Sequence, residues 1–320
     1  MRVPIDGSDL SVFPLCLGGN VFGWTADERE SFAVLDAYVA AGGNFVDTAD
    51  LYAAFAPGKR GGESEETIGR WLRARGARDQ IVIATKVGRA PGLKGLAPAT
   101  IRAAIEGSLR RLQTDYIDLY YAHDDDPQTP LVETLRTFDE LVAEGRVRYI
   151  AASNYSAPRL REALAVAEHE GLARYVALQP HYNLMEREEF EGELAEACEE
   201  HGLACLPYWS LARGFLTGKY RDGSPLGASP RAEEASAYLD ARGRRVLTAL
   251  DDIAAERGTS VAAVALAWLL GQSTVAAAVA SARTAEQLAG LLPAVGLRLE
   301  PGELAALTAA SSINRRGRAG

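Results

Sequence analysis

Asn44-Phe45-Val46-Asp47-Thr48-Ala49-Asp50-Leu51-Tyr52 is the stretch on which the fold turns. It follows a Gly42-Gly43 turn, opens as a short apolar run of β type, and breaks into Asp47, Asp50 and Tyr52. A run that begins apolar and ends in an acid reads as a buried strand whose last residues reach solvent. In a parallel-stranded barrel that end is where chemistry is placed. Asp47 and Tyr52 are therefore the candidate reactive pair, and the rest of the chain reads as scaffold and partners for them.

Outward from this stretch, strand and helix patterns alternate. Asp6-Gly7 between short alternating segments predicts a hairpin over Val3–Phe13. Leu15–Gly19 reads as a first strand and Asp27–Ala41 as a helix with an acidic start. Phe45–Thr48 is the second strand, and Ser64–Arg75 a helix with Ser64 as N-cap and Glu65 and Glu66 at the positive end of its dipole. Ile81–Lys86 is a third strand, and Pro98–Leu112 a helix with the apolar period Ile101, Ile105, Leu109, Leu112. Ile117–His123 is a fourth strand, followed by a helix to Glu144 with Thr129 as cap and Pro130 in its first turn. Tyr149–Ser153, Val176–Gln179, Ala204–Trp209 and Val275–Ala280 complete eight strands. Ser156 caps a helix after the fifth, and Glu186–His201 forms the helix after the sixth. Strands separated by helices predict an α/β fold, a (β/α)8 barrel. The N-terminal hairpin covers one end, and Ala241–Gly271 and Pro301–Ser311 add helices. The long Gly-, Pro- and Ser-rich segment from Ala212 to about Tyr238 is of a length that loops reach for function or through disorder. No linker divides residues 1–320, so a single domain is expected.

Composition narrows the function classes. The chain has 320 residues, 48% hydrophobic and 24% charged, and a net charge of −9. That balance argues against a nucleic-acid partner, because nothing offsets phosphate repulsion. Arg110-Arg111 and Arg315-Arg316 with Arg318 read as a solvated face and a tail. Cys16, Cys198 and Cys205 lack metal spacing and read as reduced and buried. The start carries no apolar signal core, and Val261–Leu270, the longest apolar run, is too short to span a bilayer. A soluble, cytoplasmic protein without a membrane partner is expected. Composition leaves the oligomeric state open.

Asp47 with Tyr52, Lys86 and His123 fall at the ends of the second, third and fourth strands. Neighbouring strand ends of one barrel converge on one mouth. The chemistry they suggest is proton donation to a carbonyl oxygen while a hydride arrives at carbon. A phenol has a pKa of about 10; a buried lysine beside it is expected to lower that value, with Asp47 orienting the lysine. His123 would hydrogen-bond the carbonyl oxygen. The hydride must come from a cofactor, because no side chain supplies one.

Asp47-Thr48-Ala49 with Tyr52, Thr85-Lys86, Asp118-Leu119-Tyr120 leading to His123, Ser153-Asn154, Gln179, and Gly214-Phe215-Leu216-Thr217-Gly218-Lys219 together resemble the aldo-keto reductase family. The resemblance covers most of the chain. It implies a catalytic tetrad of Asp47, Tyr52, Lys86 and His123, with Tyr52 as general acid in reduction and base in oxidation. It implies an extended nicotinamide dinucleotide bound without a Rossmann fold, in line with the absence of a G-x-G-x-x-G turn after a strand. Gly19, Asn20 and Asp47 would border that cofactor. Ser153, Asn154 and Gln179 would hold the carboxamide, Tyr208 would stack on the nicotinamide ring, and Trp209, Ser210 and Leu211 to Gly214 would cradle the pyrophosphate. Ser281, Arg283 and Gln287 resemble the site for the adenosine 2′-phosphate and adenine. Arg283 offers a fork of donors and the helix start near Thr284 free N–H groups, while Thr284-x-x-Gln287 also reads as a capping box. Ala280-Ser281 stands where the family commonly has Pro-Gly, and Gly290-Leu291 where an acid and an Asn often contact adenine. NADP is expected, with NAD as the alternative.

The small-molecule substrate is less legible. Asn20 stands where relatives often carry an aromatic, and Phe22, Trp24 and Phe55 are candidate walls. Asp124-Asp125-Asp126 reads either as a solvated loop or as a repellent to anionic substrates. The favoured function is an NADP-dependent oxidoreductase acting on aldehydes, ketones and the matching alcohols. Its rivals are an NAD-dependent sugar or pyridoxal dehydrogenase, a regulatory subunit sensing nicotinamide nucleotides, and a glycosidase, which would need two carboxylates across a cleft and no Lys86.

Overall fold

A computed structural model describes residues 1–223 and 231–312; the tail arginines 315, 316 and 318 and part of the predicted long loop lie outside the described residues. Eight parallel strands follow one another around a ring: β1 (Leu15–Gly18), β2 (Phe45–Asp47), β3 (Val82–Val87), β4 (Ile117–Ala122), β5 (Val147–Ser153), β6 (Tyr175–Gln179), β7 (Ala204–Cys205) and β8 (Ala278–Ala280). β8 pairs with β1 through Ala278–Leu15 and Ala280–Leu17. The ring closes where Cys205 bridges to Val275, the Cys205 amide donating to Thr274 O at 2.8 Å and the Ala276 amide to Cys205 O at 3.0 Å. β7 is shorter than its sequence pattern, because Pro207 has no N–H to continue the ladder; Tyr208 rejoins only as a bridge to His181.

Helices α1 (Glu28–Ala40), α2 (Glu63–Arg75), α3 (Pro98–Leu112), α4 (Leu131–Ala143), α5 (Ala157–Glu170) and α6 (Glu193–His201) connect the strands. After β7 come a short 3₁₀ segment, Ala212–Thr217, then α7 (Ala232–Ser236), α8 (Ala241–Arg257) and α9 (Val261–Leu270). After β8 come α10 (Ala285–Leu291) and α11 (Pro301–Ala310). Among the described residues no single helix is long and apolar enough to cross a membrane.

The strand pleat sorts side chains into two cores. Cys16, Phe45, Val82, Ala84, Leu119, Tyr121, Ala151, Ala177 and Ala204 point into the barrel. Leu15, Leu17, Val46, Ile83, Tyr120, Ile150 and Leu178 point outward under the helices. Successive residues of a strand face opposite sides, so the next inward position beyond Phe45 is Asp47, beyond Ala84 is Lys86, beyond Tyr121 is His123, beyond Ala151 is Ser153 and beyond Ala177 is Gln179. The polar site is the top layer of the same stack that is apolar below. At the bottom, Val3–Pro4 pairs with Ser11–Val12, and Ile5, Leu10 and Val12 plug the barrel. Asn44 ties this hairpin to β2: its Oδ1 accepts from the Phe13 amide and its Nδ2 donates to Ser11 O. Gly43 is required beside it, since a Cβ there would lie 2.4 Å from the Tyr38 ring, whose hydroxyl donates to Leu15 O at 2.6 Å.

Three local expectations change. Ser64 is not the cap of α2; Gly62, at φ 87°, precedes the helix, and buried Ser64 accepts from Thr48 Oγ1 and donates to Gly19 O. Pro130 is the cap of α4 rather than its first residue, because Thr129 spends its hydroxyl on Asp126. The helix expected from Glu186 starts only at Glu193, since Gly192 (φ 106°) and the Asn183–Glu186 turn break the backbone before it. Ser156 does cap α5.

Candidate active site

At the barrel mouth, Lys86 Nζ donates to both carboxylate oxygens of Asp47 (2.6 and 2.7 Å), to Thr48 O (2.8 Å) and to the Tyr52 hydroxyl (2.9 Å). The lysine is 0% exposed and Asp47 1%. A buried ion pair of this kind persists only if the remaining hydrogen-bond capacity is met, and here Gln179 Nε2 donates to Asp47 Oδ2 at 2.9 Å. The Tyr52 hydroxyl in turn donates to Asp47 Oδ1 at 3.1 Å. Tyr52 is aimed by a short loop whose next residue, Ala53, is held at φ 79°. That conformation is costly for a residue with a Cβ and is typical of functional sites.

The expected lowering of the phenol is not what the geometry gives. Burial first, then the charge of Asp47 and its hydrogen bond, push the Tyr52 pKa well above the usual tyrosine value. Lys86 does not reverse this shift, because the carboxylate it is bonded to acts on the phenol with the opposite sign. The phenol is the stable form, which is the form an acid needs. His123 stands edge-on to Tyr52 with ring centroids 6.4 Å apart. Burial, followed by Lys86 and Arg89, holds its pKa well below the ordinary histidine value. Its neutral ring keeps one N–H donor and one acceptor.

These groups open into a cavity of about 570 Å³ that runs from Trp24 and Phe55, past Asp47, Tyr52 and His123, to Arg283 and Gln287. Asn20, Ser153, Asn154, Gln179, Tyr208, Trp209, Ser210, Leu211, Gly214 and Ser281 also line it. Tyr208 donates to Asn154 Oδ1 at 2.9 Å and stacks on His181 at 5.2 Å and 17°. Asn154, at φ 59°, donates to His123 O and to Ser153 Oγ. Beyond Tyr208 the backbone turns left-handed at Trp209, Ala212, Arg213 and Gly214. Alternation of right- and left-handed residues forms concavities of backbone N–H groups suited to anions. Ser281 Oγ donates to Asn20 Oδ1 at 2.8 Å, which joins the ends of β8 and β1. The Thr284 hydroxyl accepts from the Gln287 amide, whereas Gln287 Oε1 accepts from the Arg283 amide, so the capping box is offset by one residue.

Three candidate residues do not line the cavity: Phe22, Gly19 and Lys86, which is fully buried and reaches it only through Asp47 and Tyr52. Phe22 is 0% exposed and packs in the outer core, so the wall is Trp24 and Phe55, whose rings meet edge-on at 4.7 Å. Gly19 is turned toward Ser64, and Gly18 takes its place in the lining. Sequence reading missed Arg89 and Arg231 in the lining, and His181 beneath Tyr208. They sit outside the barrel strands, where no periodicity marks them.

A model of the aldo/keto reductase family matches residues 14–312. The chain belongs to the aldo/keto reductase family. It is an oxidoreductase of that family, built as a (β/α)8 barrel. It is 36% identical to an uncharacterized oxidoreductase, YrpG, of Bacillus subtilis over 91% of this chain and 90% of the relative. It is 32% identical to norsolorinic acid reductase stcV of Emericella nidulans over 92% and 77%. It is 35% identical to a probable voltage-gated potassium channel subunit beta of rice over 88% and 87%.

Proposed function

We propose that this chain reduces aldehydes or ketones to alcohols with NADPH, and runs the reverse reaction with NADP. The observation that carries the reading is the shared hydrogen bonding of Lys86, Asp47 and Tyr52 beside a cavity of about 570 Å³ whose lining extends to Arg283 and Gln287. The lining fits such a cofactor: an amide-bearing shelf at Ser153, Asn154 and Gln179, a supported ring at Tyr208, a turn of left-handed backbone at Trp209–Gly214, and a cation at Arg283. When bound, the nicotinamide supplies the hydride.

The chain supplies the proton and the positioning. A carbonyl oxygen placed between Tyr52 and His123 accepts a hydrogen bond from the neutral imidazole. The Tyr52 hydroxyl now points at Asp47, and one torsion turns it to the carbonyl oxygen. As it gives up its proton, charge develops on the phenolic oxygen 2.9 Å from Lys86 Nζ. A preorganised donor in a dry site stabilises that charge without reorganisation. In oxidation the same oxygen takes the alcohol proton, so Tyr52 is acid in one direction and base in the other. The preference for NADP rests on Arg283, whose guanidinium suits a 2′-phosphate.

The test is NADPH and NADH consumption across an aldehyde and ketone panel, with both nucleotides titrated by fluorescence. Faster turnover with NADPH is expected; equal or faster turnover with NADH would remove the preference for NADP. The likeness to a channel beta subunit favours a second reading, a nucleotide-sensing partner subunit. Tight NADPH binding with no oxidation by any carbonyl would favour it.

A further inference from the structure

His181 supports Tyr208 without lining the cavity. It follows β6, and its backbone bridges to Tyr208, whose amide donates to Pro180 O at 3.0 Å. Asn183 Nδ2 donates to Trp209 O at 3.0 Å, a second tie between the segments after β6 and β7. The imidazole lies nearly parallel to the Tyr208 ring, with 5.2 Å between centroids and 17° between planes, and stands edge-to-face with Trp209 at 5.1 Å and 83°. Tyr208 lines the cavity and His181 does not. The imidazole therefore backs the phenol ring from the side turned away from the cavity.

The other end of Tyr208 is held as well. Its hydroxyl donates to Asn154 Oδ1 at 2.9 Å, and Asn154 Nδ2 donates to His123 O at 2.9 Å. A ring fixed at its hydroxyl and on one face presents its remaining face at a set angle. An aromatic face carries partial negative charge and attracts a cation laid over it. The oxidised nicotinamide ring is a cation, and the reduced ring is neutral. A charge placed behind Tyr208 discriminates between the two.

The surroundings of His181 favour a neutral ring. Its Nε2 is buried with no hydrogen-bond partner among the described residues, whereas a protonated imidazole carries an N–H at both nitrogens. Burial is the first cause that holds its pKa below the ordinary histidine value; Glu186 and Glu189 pull it up, and Arg213 pushes it down. Glu186 accepts from the Tyr238 hydroxyl at 2.7 Å, and Arg213 pairs with Glu234 and lies over Trp209 at 3.5 Å.

Resting on the reading of this cavity as a nicotinamide site, we infer that His181 is a positioning residue that sets the balance between the two redox forms of the cofactor. As a neutral ring it holds Tyr208 in place for either form. As a cation it stands behind the ring that the oxidised nicotinamide would face and repels it, so the reduced form is favoured.

The test is the ratio of the Kd for NADP to the Kd for NADPH, measured calorimetrically with the full chain. His181→Phe, which keeps a flat neutral ring, should hold the ratio within about twofold of the wild type near neutral pH. His181→Lys, a fixed cation, should raise it by about fivefold or more, the effect of like charges on opposite sides of one ring. A merely structural role would weaken both forms alike and leave the ratio unmoved. The wild type supplies a second measurement that needs no substitution. From about pH 8 to about pH 5 its ratio should rise, and in His181→Phe it should stay level. Arg283 and the 2′-phosphate are common to both nucleotides and cancel in the ratio. His123 is common to both proteins, so the difference between their profiles isolates His181. A raised ratio in His181→Lys, or a pH response lost in His181→Phe, supports the inference; the absence of both overturns it. If the wild type binds neither nucleotide, the cofactor reading has failed and the inference falls with it. If both bind and their ratio ignores the charge behind Tyr208, the inference alone falls.

Discussion

At the reactive end of the cavity, Asp47, Lys86, Ser153 and Gln179 hang from barrel strands and His123 from the residue after one; at the far end, Arg213, Lys219, Arg283 and Gln287 hang from loops and short helices. The first group is almost wholly buried and cross-bonded within itself. The second is partly or fully exposed. A strand end leaves a side chain one direction and one height, because pleat and register are set by the whole sheet. A loop sets neither. The reactive end should therefore respond to substitution through chemistry, and the far end through affinity alone.

The largest effect that separates the two ends is expected from Tyr52→Phe. Removing the hydroxyl that Lys86 contacts should cut kcat for reduction by about 10³-fold or more while NADPH affinity stays within a few-fold. Near-normal turnover would take Tyr52 out of its role and dissolve the distinction. The pH profile sharpens it further. The phenol pKa is raised above its ordinary value of about 10. Reduction needs the protonated form, so its rate should hold level across neutrality and fall only above about pH 10. Oxidation needs the phenolate, so with chemistry limiting, its rate should climb about tenfold per pH unit over the same range. A plateau in oxidation below pH 8 would show that the phenol is held lower than the buried geometry dictates.

How much of this was legible in the sequence follows the same division. The barrel, its order and the four side chains that meet at its mouth were readable, because Phe45-Val46-Asp47 and Tyr120-Tyr121-Ala122-His123 carry the period of a strand into a polar end. The direction of the phenol pKa was not. Proximity of a lysine could be read, but not that Asp47 takes up its hydrogen bonds at 2.6 and 2.7 Å. Phe22 and Trp24 looked alike as aromatics after β1; only the turn Phe22–Ala26 sends one inward and the other to the wall. Arg89 and Arg231 were invisible as site residues, since a charged residue in a connecting segment is ordinarily solvated.

At the far end, Arg283→Ala should weaken NADPH by roughly 10- to 100-fold, as expected for loss of charge-assisted hydrogen bonds, with NADH affinity changed by no more than about threefold and kcat at saturation kept. The readout is a pair of fluorescence titrations. Equal losses for both nucleotides would place Arg283 away from the 2′-phosphate and leave the far end without its phosphate reader.

The effect that leaves turnover untouched belongs to a residue that gives the reactive end a thermodynamic burden. Asp50, three residues beyond Asp47, is 3% exposed, and neither carboxylate oxygen has a hydrogen-bond partner among the described residues; the Tyr120 hydroxyl is in the same position. Burial first, and then Glu65, raise its pKa to about 7, with Arg111 only partly opposing. The unfolded chain ionises near 3.9. Below that value both states hold the proton and there is no penalty. Between about pH 4 and 7 the unfolded state releases it first, so folding loses stability as pH rises, and above about 7 the loss is complete and constant. Asp50→Asn removes the titration. It should raise Tm at pH 8 relative to its effect at pH 4 by several degrees, corresponding to about 2–4 kcal/mol. An identical Tm difference at the two pH values would mean that Asp50 ionises in the native protein as readily as in water. The carboxyl in the loop from Asp47 to Tyr52 would then carry no desolvation cost, and the reactive end would be no more costly to fold than the far one.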